Sequence, residues 1–274
     1  MKGNLPFRFA VGRLLMRVRP APLASLAKRL LRIGRFEITT KEGKFSVDPA
    51  SYAGLELAGT GVHEPATLAA VHRLLRPGDT FIDIGANEGY FTVLASRLVG
   101  PAGRVLAVEP QMRLQPVLAQ NLTLNLCTNV VVIQAAVSDH SGTAVLHLTP
   151  DVNNGASGLA APTRYRLATQ PTTLMTLADL LARVPGAAPV VKMDIESFEH
   201  EAIHGGEVLF RAGAVRALIL ELHRDMLRKR KLDVEAVPRL LRACGYEQEA
   251  LGSGLVWARP GILPREECVR PHTL

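Results

Sequence analysis

Cysteine is scarce in this sequence of 274 residues: Cys127, Cys244 and Cys268 are widely scattered and odd in number. That fits neither a disulfide framework nor a metal-ligand spacing, and a reducing cytoplasm is the expected setting. Aromatic residues make up only 5%, few with which to stack bases, so a nucleic-acid partner is not expected. Apolar stretches run about 4 to 6 residues, far short of the ~20 that a spanning helix needs. A secretory signal is disfavoured as well, because Arg8, Arg13 and Arg17 interrupt any apolar core it would need. What is present is an ordinary globular balance of 47% hydrophobic and 21% charged residues, which excludes a disordered scaffold.

Acidic residues are absent from the first 36 positions, which carry nine bases from Lys2 to Arg35. The rest of the chain holds 23 basic and 25 acidic residues, so the +7 net charge resides in an N-terminal arm and not in the body. Leu23, Leu26, Ala27, Leu30 and Leu31 recur at helical spacing with Lys28, Arg29 and Arg32 among them, giving a short amphipathic basic helix after Pro20 and Pro22. The plainer expectation is a helix packed on the body with its basic face in water. The other is a peripheral contact with an anionic membrane surface or a protein partner.

Three segments are expected: residues 1–59, an N-terminal extension with a small hairpin cover; residues 60–262, one α/β domain; and a tail, 263–274. Within the extension, 35–39 and 44–47 read as a hairpin around Glu42-Gly43. A helix follows over 64–76. From Thr80, compact aliphatic runs alternate with helical stretches, as a parallel sheet covered on both faces requires. The strands are predicted at 80–84, 104–108, 130–135, 190–193 and 217–220, with helices at 89–98, 111–125, 176–183, 198–211 and 233–243. A closing hairpin is predicted from 246–251 and 255–258.

Open α/β sheets bind ligands at the carboxyl ends of their strands, and here those ends carry Asp83 and Gly85, Glu109, Ser138 and Asp139, Asp194 and Glu196, and Glu221 and His223. The first strand turn reads Asp83-Ile84-Gly85-Ala86-Asn87-Glu88-Gly89-Tyr90. It departs from the dinucleotide fingerprint, with Asn87 and Tyr90 where the second and third glycines belong. A diphosphate needs bare amides at that helix start. A cationic ligand bearing an amino acid tolerates side chains there and gains from an acid. Glu109, at the end of the second strand, is placed to accept from both ribose hydroxyls. A nucleoside without a diphosphate satisfies both features.

The block from Gly78 to Phe91, Glu109-Pro110, Ala135-Ala136-Val137-Ser138 and Lys192-Met193-Asp194-Ile195-Glu196-Ser197-Phe198-Glu199 resemble the FkbM family of S-adenosylmethionine-dependent methyltransferases, over roughly residues 60 to 225 and the closing hairpin. The resemblance implies a Rossmann-like class I sheet, mostly parallel and seven-stranded with an antiparallel closing hairpin. It also implies S-adenosylmethionine as cofactor, with Asp83, Gly85 and Asn87 at its methionine end, Glu109 at the ribose, Ala136, Ser138 and Asp139 at the adenine, and Gly89 also in the cofactor site. Hydroxyl groups of sugars, glycolipids or secondary metabolites are the acceptors it favours. Two positions depart from the family pattern: Ser197, where glycine is usual, and Ala178-Asp179, where an acidic pair is usual.

An alcohol acceptor has a high pKa and profits from a general base; Asp194, Glu196 and His223 are the candidates, Asp194 first. An extended strand would point Lys192, Asp194 and Glu196 to one side. No metal is expected, since Asp194, Glu196 and Glu221 lack a compact ligand spacing. The remaining histidines, His63 among them, are set aside as surface or core residues. The run Asn153 to Gly158 and the irregular stretch to about Thr173 form a candidate substrate lid. An NAD-dependent oxidoreductase and a noncatalytic cofactor-binding module are the competing readings. The resemblance extends neither to the acceptor molecule nor to the role of the arm.

Overall fold

The computed structural model describes residues 5–15, 17–18, 21–149, 158–159, 168–184, 186–196, 198–251 and 254–262. Two helices, α1 (Leu5–Leu15) and α2 (Ala21–Leu30), precede the hairpin of β1 (Phe36–Thr39) and β2 (Lys44–Val47). Helices α3 (Tyr52–Thr60) and α4 (Pro65–Leu74) lead into β3 (Thr80–Ile84), α5 (Tyr90–Val99), β4 (Arg104–Val108), α6 (Gln115–Leu124) and β5 (Val130–Ile133). The chain continues through β6 (Ala136–Val137), β7 (Gly142–His147), β8 (Thr169–Met175), α7 (Leu177–Leu181), β9 (Val190–Met193), α8 (Glu199–Gly205), α9 (Glu207–Arg211) and β10 (Ala217–Leu220). It closes with α10 (Arg224–Lys229), α11 (Ala236–Ala243), β11 (Glu247–Leu251) and β12 (Gly254–Ala258).

Seven strands form one sheet in the order β11-β12-β10-β9-β3-β4-β5. The five central and edge strands from β10 to β5 run parallel, and β12 joins antiparallel to β10. The strand order reverses between β3 and β9, with β4 and β5 added to one side and β10 to the other, and this switch opens the crevice where such sheets bind ligands. Alternation along each strand separates two cores. Ile82, Ile84, Val108, Met193 and Leu220 pack under α7, α8 and α11, whereas Phe81, Val105, Val190 and Ile219 pack under α4 and α5. Phe45, Val47 and Leu57, from β2 and α3, join that second core, so the hairpin cover shares the body's packing.

Three expectations need correction. The strand read over 130–135 stops at Ile133, and Ala136–Val137 leaves the main sheet to pair with β8. The stretch read as irregular up to Thr173 ends in β8, which with β7 and β6 forms a second, three-stranded sheet; threonines and Pro171 masked its alternation. Most of the candidate lid lies outside the described residues, as do the 263–274 tail and Ser197. Finally, α2 does not bury its leucines: Leu23, Leu26 and Leu30 are exposed, while Lys28 turns inward to pair with the buried Asp48.

Candidate active site

A cavity of about 260 Å³ opens at the carboxyl ends of β3, β4, β9 and β10. Its floor depends on one glycine. Gly85 has φ +81°, and a Cβ there would lie 1.9 Å from the carbonyl oxygen of Asp194, so the turns after β3 and β9 touch only because no side chain intervenes. Asn87 follows at φ +50°, which aims its amide at Glu109. The Asn87 N–H donates to Glu109 Oε2 at 2.8 Å and the Gln111 N–H to Oε1 at 2.9 Å. Glu109 is nonetheless pushed up to about 7, because burial outweighs these two amide donors.

One wall is apolar, formed by Val108, Ala136, Val137 and Leu146. Leu146 comes from β7 of the second sheet. Gln170 on β8 binds this sheet to the Glu109 loop, accepting from the Met112 N–H at 2.9 Å and donating to the Pro110 carbonyl at 2.8 Å.

The opposite wall is charged. His223, three residues past β10, places Nδ1 3.0 Å from Glu199 Oε1 and Nε2 3.7 Å from Asp194 and 3.6 Å from Glu196. Glu199 is fully buried at the start of α8 and also accepts the Ile195 N–H at 3.1 Å. Burial works against an imidazolium, but Glu199, Glu196 and Asp194 outweigh it and raise His223 to about 9. Glu196, in the left-handed region at φ +53°, is pushed up to about 7 by burial, with His223 opposing and Asp194 adding to the rise. Glu221 is raised by burial and by Asp194 and Glu64. Side-chain atoms of Asp194, Glu199 and His223 lie within 4.8 Å of one another, as do those of Glu64, Asp194 and Glu221; the sequence spacing concealed this clustering.

The family model for the methyltransferase FkbM domain matches residues 83–247. The chain belongs to the FkbM methyltransferase family. No curated protein matches its sequence. Among solved structures, this FkbM methyltransferase is similar to methyltransferase FkbM from Methylobacillus flagellatus, with 14% identity, 92% of this chain and 58% of that one covered, and TM-score 0.43. It is also similar to M. jannaschii TYW2 in complex with AdoMet (13% identity, 82% and 84% covered, TM-score 0.43). A third is Aeropyrum pernix fibrillarin with bound S-adenosyl-L-methionine (12% identity, 70% and 73% covered, TM-score 0.39).

In this FkbM methyltransferase Gly85, Asn87, Glu109, Ala136, Asp194, Glu196 and His223 line one cavity, while Asp83, Gly89, Ser138 and Asp139 do not. Asp83 sits within the strand body, directly across from Lys192 in the β3–β9 register. It accepts from Thr92 Oγ1 at 2.6 Å and lies 3.7 Å from the Lys192 ammonium; burial raises its pKa despite both. Lys192 in turn donates to the Gly85 carbonyl at 3.2 Å and lies 3.6 Å from Asp194. Burial opposes its charge, yet Asp194 and Asp83 prevail and its pKa is raised. Asp83 therefore braces the turn from beneath. Gly89 packs against Leu118, which a Cβ would approach to 2.4 Å. Ser138 and Asp139 follow β6 away from the cavity, Asp139 pairing with His140, because the chain has already left the main sheet. Asp179 completes the capping box of α7 with Thr176.

Sequence reasoning missed Glu64, His63, Tyr52 and Leu146, all lining the cavity, and Glu199 behind His223. Glu64 precedes Pro65 and reads as a helix-start residue; its left-handed φ of +45° is visible only in the structure. Glu199 carries no distinguishing signal in the sequence, because an acid in a first helical turn is already favoured there.

Proposed function

We propose that the protein is an S-adenosylmethionine-dependent O-methyltransferase acting on a hydroxyl of a sugar, glycolipid or secondary metabolite. The observation that carries this is the convergence, on one cavity, of the Gly85–Asn87 turn, the amide-anchored carboxylate of Glu109 and an imidazole backed by a buried carboxylate. The residues fit the cofactor: Asn87 Oδ1 is buried without a hydrogen-bond partner, an acceptor suited to an α-ammonium group, and Glu109 suits ribose hydroxyls. The apolar wall of Val108, Val137 and Leu146 suits an adenine face. When bound, S-adenosylmethionine supplies a methyl group on a sulfonium centre that is already electrophilic.

The protein then has to orient the acceptor, exclude water and take one proton. A carboxylate only accepts, so Glu199 fixes the His223 tautomer with hydrogen on Nδ1 and the lone pair on Nε2, facing the cavity. His223 Nε2 takes the acceptor's hydroxyl proton, and the resulting imidazolium is held by Glu199, Asp194 and Glu196. In these roles His223 is the base and Glu199 a positioning residue. With His223 titrating near 9 in the free protein, transfer should accelerate as pH rises from 7 toward 9.

The test is incorporation of a radiolabelled methyl group from S-adenosylmethionine into a panel of sugars, glycolipids and hydroxylated metabolites, with His223→Ala alongside. The expected product carries an acid-stable methyl ether and is lost in the variant. Label found only on nitrogen, or equal transfer by His223→Ala, would contradict the reading.

A further inference from the structure

The N-terminal arm presents an apolar and basic face to solvent beside the mouth of the cavity. Leu23, Leu26 and Leu30 follow one another at three- and four-residue spacing on α2 and are 51%, 51% and 75% exposed, with Leu31 at 61% and Leu14 of α1 at 64%. Arg13, Arg17, Arg29 and Arg32 are exposed among them. Burying a leucine is worth about 1.5–3 kcal/mol, so a row of them facing water is a cost that an isolated chain would avoid by turning the helix over. It does not turn, because Lys28, on the opposite side of α2 from Leu26 and Leu30, pairs with buried Asp48, and Ala27, Val11, Val18 and Ile33 fill the small core around Leu15 and Ala50.

The arm is tied to the cavity rim. A Cβ at Gly12 would lie 1.8 Å from the Pro49 carbonyl oxygen, so α1 crosses the chain directly before Ser51, Tyr52 and Ala53, which line the cavity. Arg35, at the end of the arm, pairs with Glu88, another lining residue. Tyr52 itself is 66% exposed, an amphipathic ring of the kind favoured where water meets headgroups.

We propose that α1 and α2 form a docking surface for an anionic lipid bilayer, the leucines entering the interface, the arginines meeting acidic headgroups, and the cavity mouth held toward acceptors on that surface. The charge pattern selects this occupant: nine bases and no acid in 36 residues match a dense anionic plane, and leucines on one helix face supply the apolar depth that charge alone lacks. Docking is independent of the methyl-transfer reading; only the orientation of the cavity mouth draws on it.

The experiment is co-flotation of the full chain with vesicles of phosphatidylcholine alone or with 30 mol% phosphatidylglycerol, a composition on the order of an anionic membrane surface, at low and high salt. The wild type should bind the anionic vesicles and release at high salt. Leu26→Glu/Leu30→Glu and Arg17→Glu/Arg29→Glu should each weaken binding roughly tenfold or more, with circular dichroism and S-adenosylmethionine affinity unchanged. Absence of binding to anionic vesicles overturns the proposal. So does binding that the leucine variant leaves intact, which is adsorption of charge only, or a wild-type dimer that this variant converts to monomer, which assigns the face to a second copy. If the wild type binds vesicles and not S-adenosylmethionine, docking stands and the cofactor reading falls.

Discussion

The two walls of the cavity hold their carboxylates differently. On the proposed cofactor side Glu109 is fixed by backbone amides of Asn87 and Gln111, groups that neither titrate nor change rotamer. On the proposed acceptor side Asp194, Glu196, Glu199 and Glu221 surround one imidazole and one ammonium. Both Glu109 and Glu196 titrate near 7, yet the first answers to a rigid turn and the second to the charge state of its neighbours. A backbone-built wall suits a ligand that is always the same; a wall built from charges suits a proton that comes and goes.

The largest effect should come from breaking the floor common to both walls. Gly85→Ala forces a Cβ against the Asp194 carbonyl at φ +81°, and a loss of roughly 2–4 kcal/mol in denaturant unfolding is expected. A variant of wild-type stability would mean the two turns are not in contact. Next, His223→Ala should abolish methyl transfer while changing S-adenosylmethionine affinity less than about threefold, separating the walls. Parallel loss of cofactor binding would merge them.

The pH dependence sharpens the comparison further. Glu109 keeps its proton up to about 7 in the folded protein, against 4.5 for an ordinary glutamate. Between those values the folded state binds more protons than the unfolded one, so its contribution to stability declines as pH rises through that window. Glu109→Gln should flatten the decline, gaining about 1–3 kcal/mol at pH 8, and should remove a rise in cofactor affinity centred near pH 7. His223 behaves oppositely in origin: raised from 6.5 to about 9, its stabilisation is complete below 6.5 and lost as pH climbs through 9. An imidazole titration followed by NMR should show that upper value falling in Glu199→Gln. An unmoved midpoint would dissociate Glu199 from His223. The smallest effect is expected of Gln170→Ala, which releases the Glu109 loop from β8 at a cost of about 1 kcal/mol, read as a few-fold weaker cofactor binding.

How far the sequence carried these features follows from their physics. Parallel strands buried on both faces are continuous aliphatic runs, so β3, β4, β9 and β10 were legible, as was the closing hairpin. The β7–β8 pair was not, because strands at a polar periphery carry threonine and proline. Gly85, Asn87 and Glu109 were readable from local order alone, since a turn and the strand end beside it are set by nearby residues. Asp83 lies beneath the turn and outside the cavity lining, which the sequence does not reveal because an acid facing a ligand and one buried against a neighbouring strand look alike there; only pairing with Lys192 across β3 and β9 distinguishes them. Glu199 and Glu64 depend on tertiary approach and leave no local mark.

The central claim is that the Asn87–Glu109 wall holds an adenosyl cofactor, and calorimetric titration of the wild type and Glu109→Ala with S-adenosylmethionine, S-adenosylhomocysteine and NAD tests it most directly. The account predicts micromolar binding of both adenosyl ligands, roughly tenfold or more weaker in the variant, and none of NAD. Failure of the folded wild type to bind either adenosyl ligand, or binding that Glu109→Ala leaves unchanged, would contradict it.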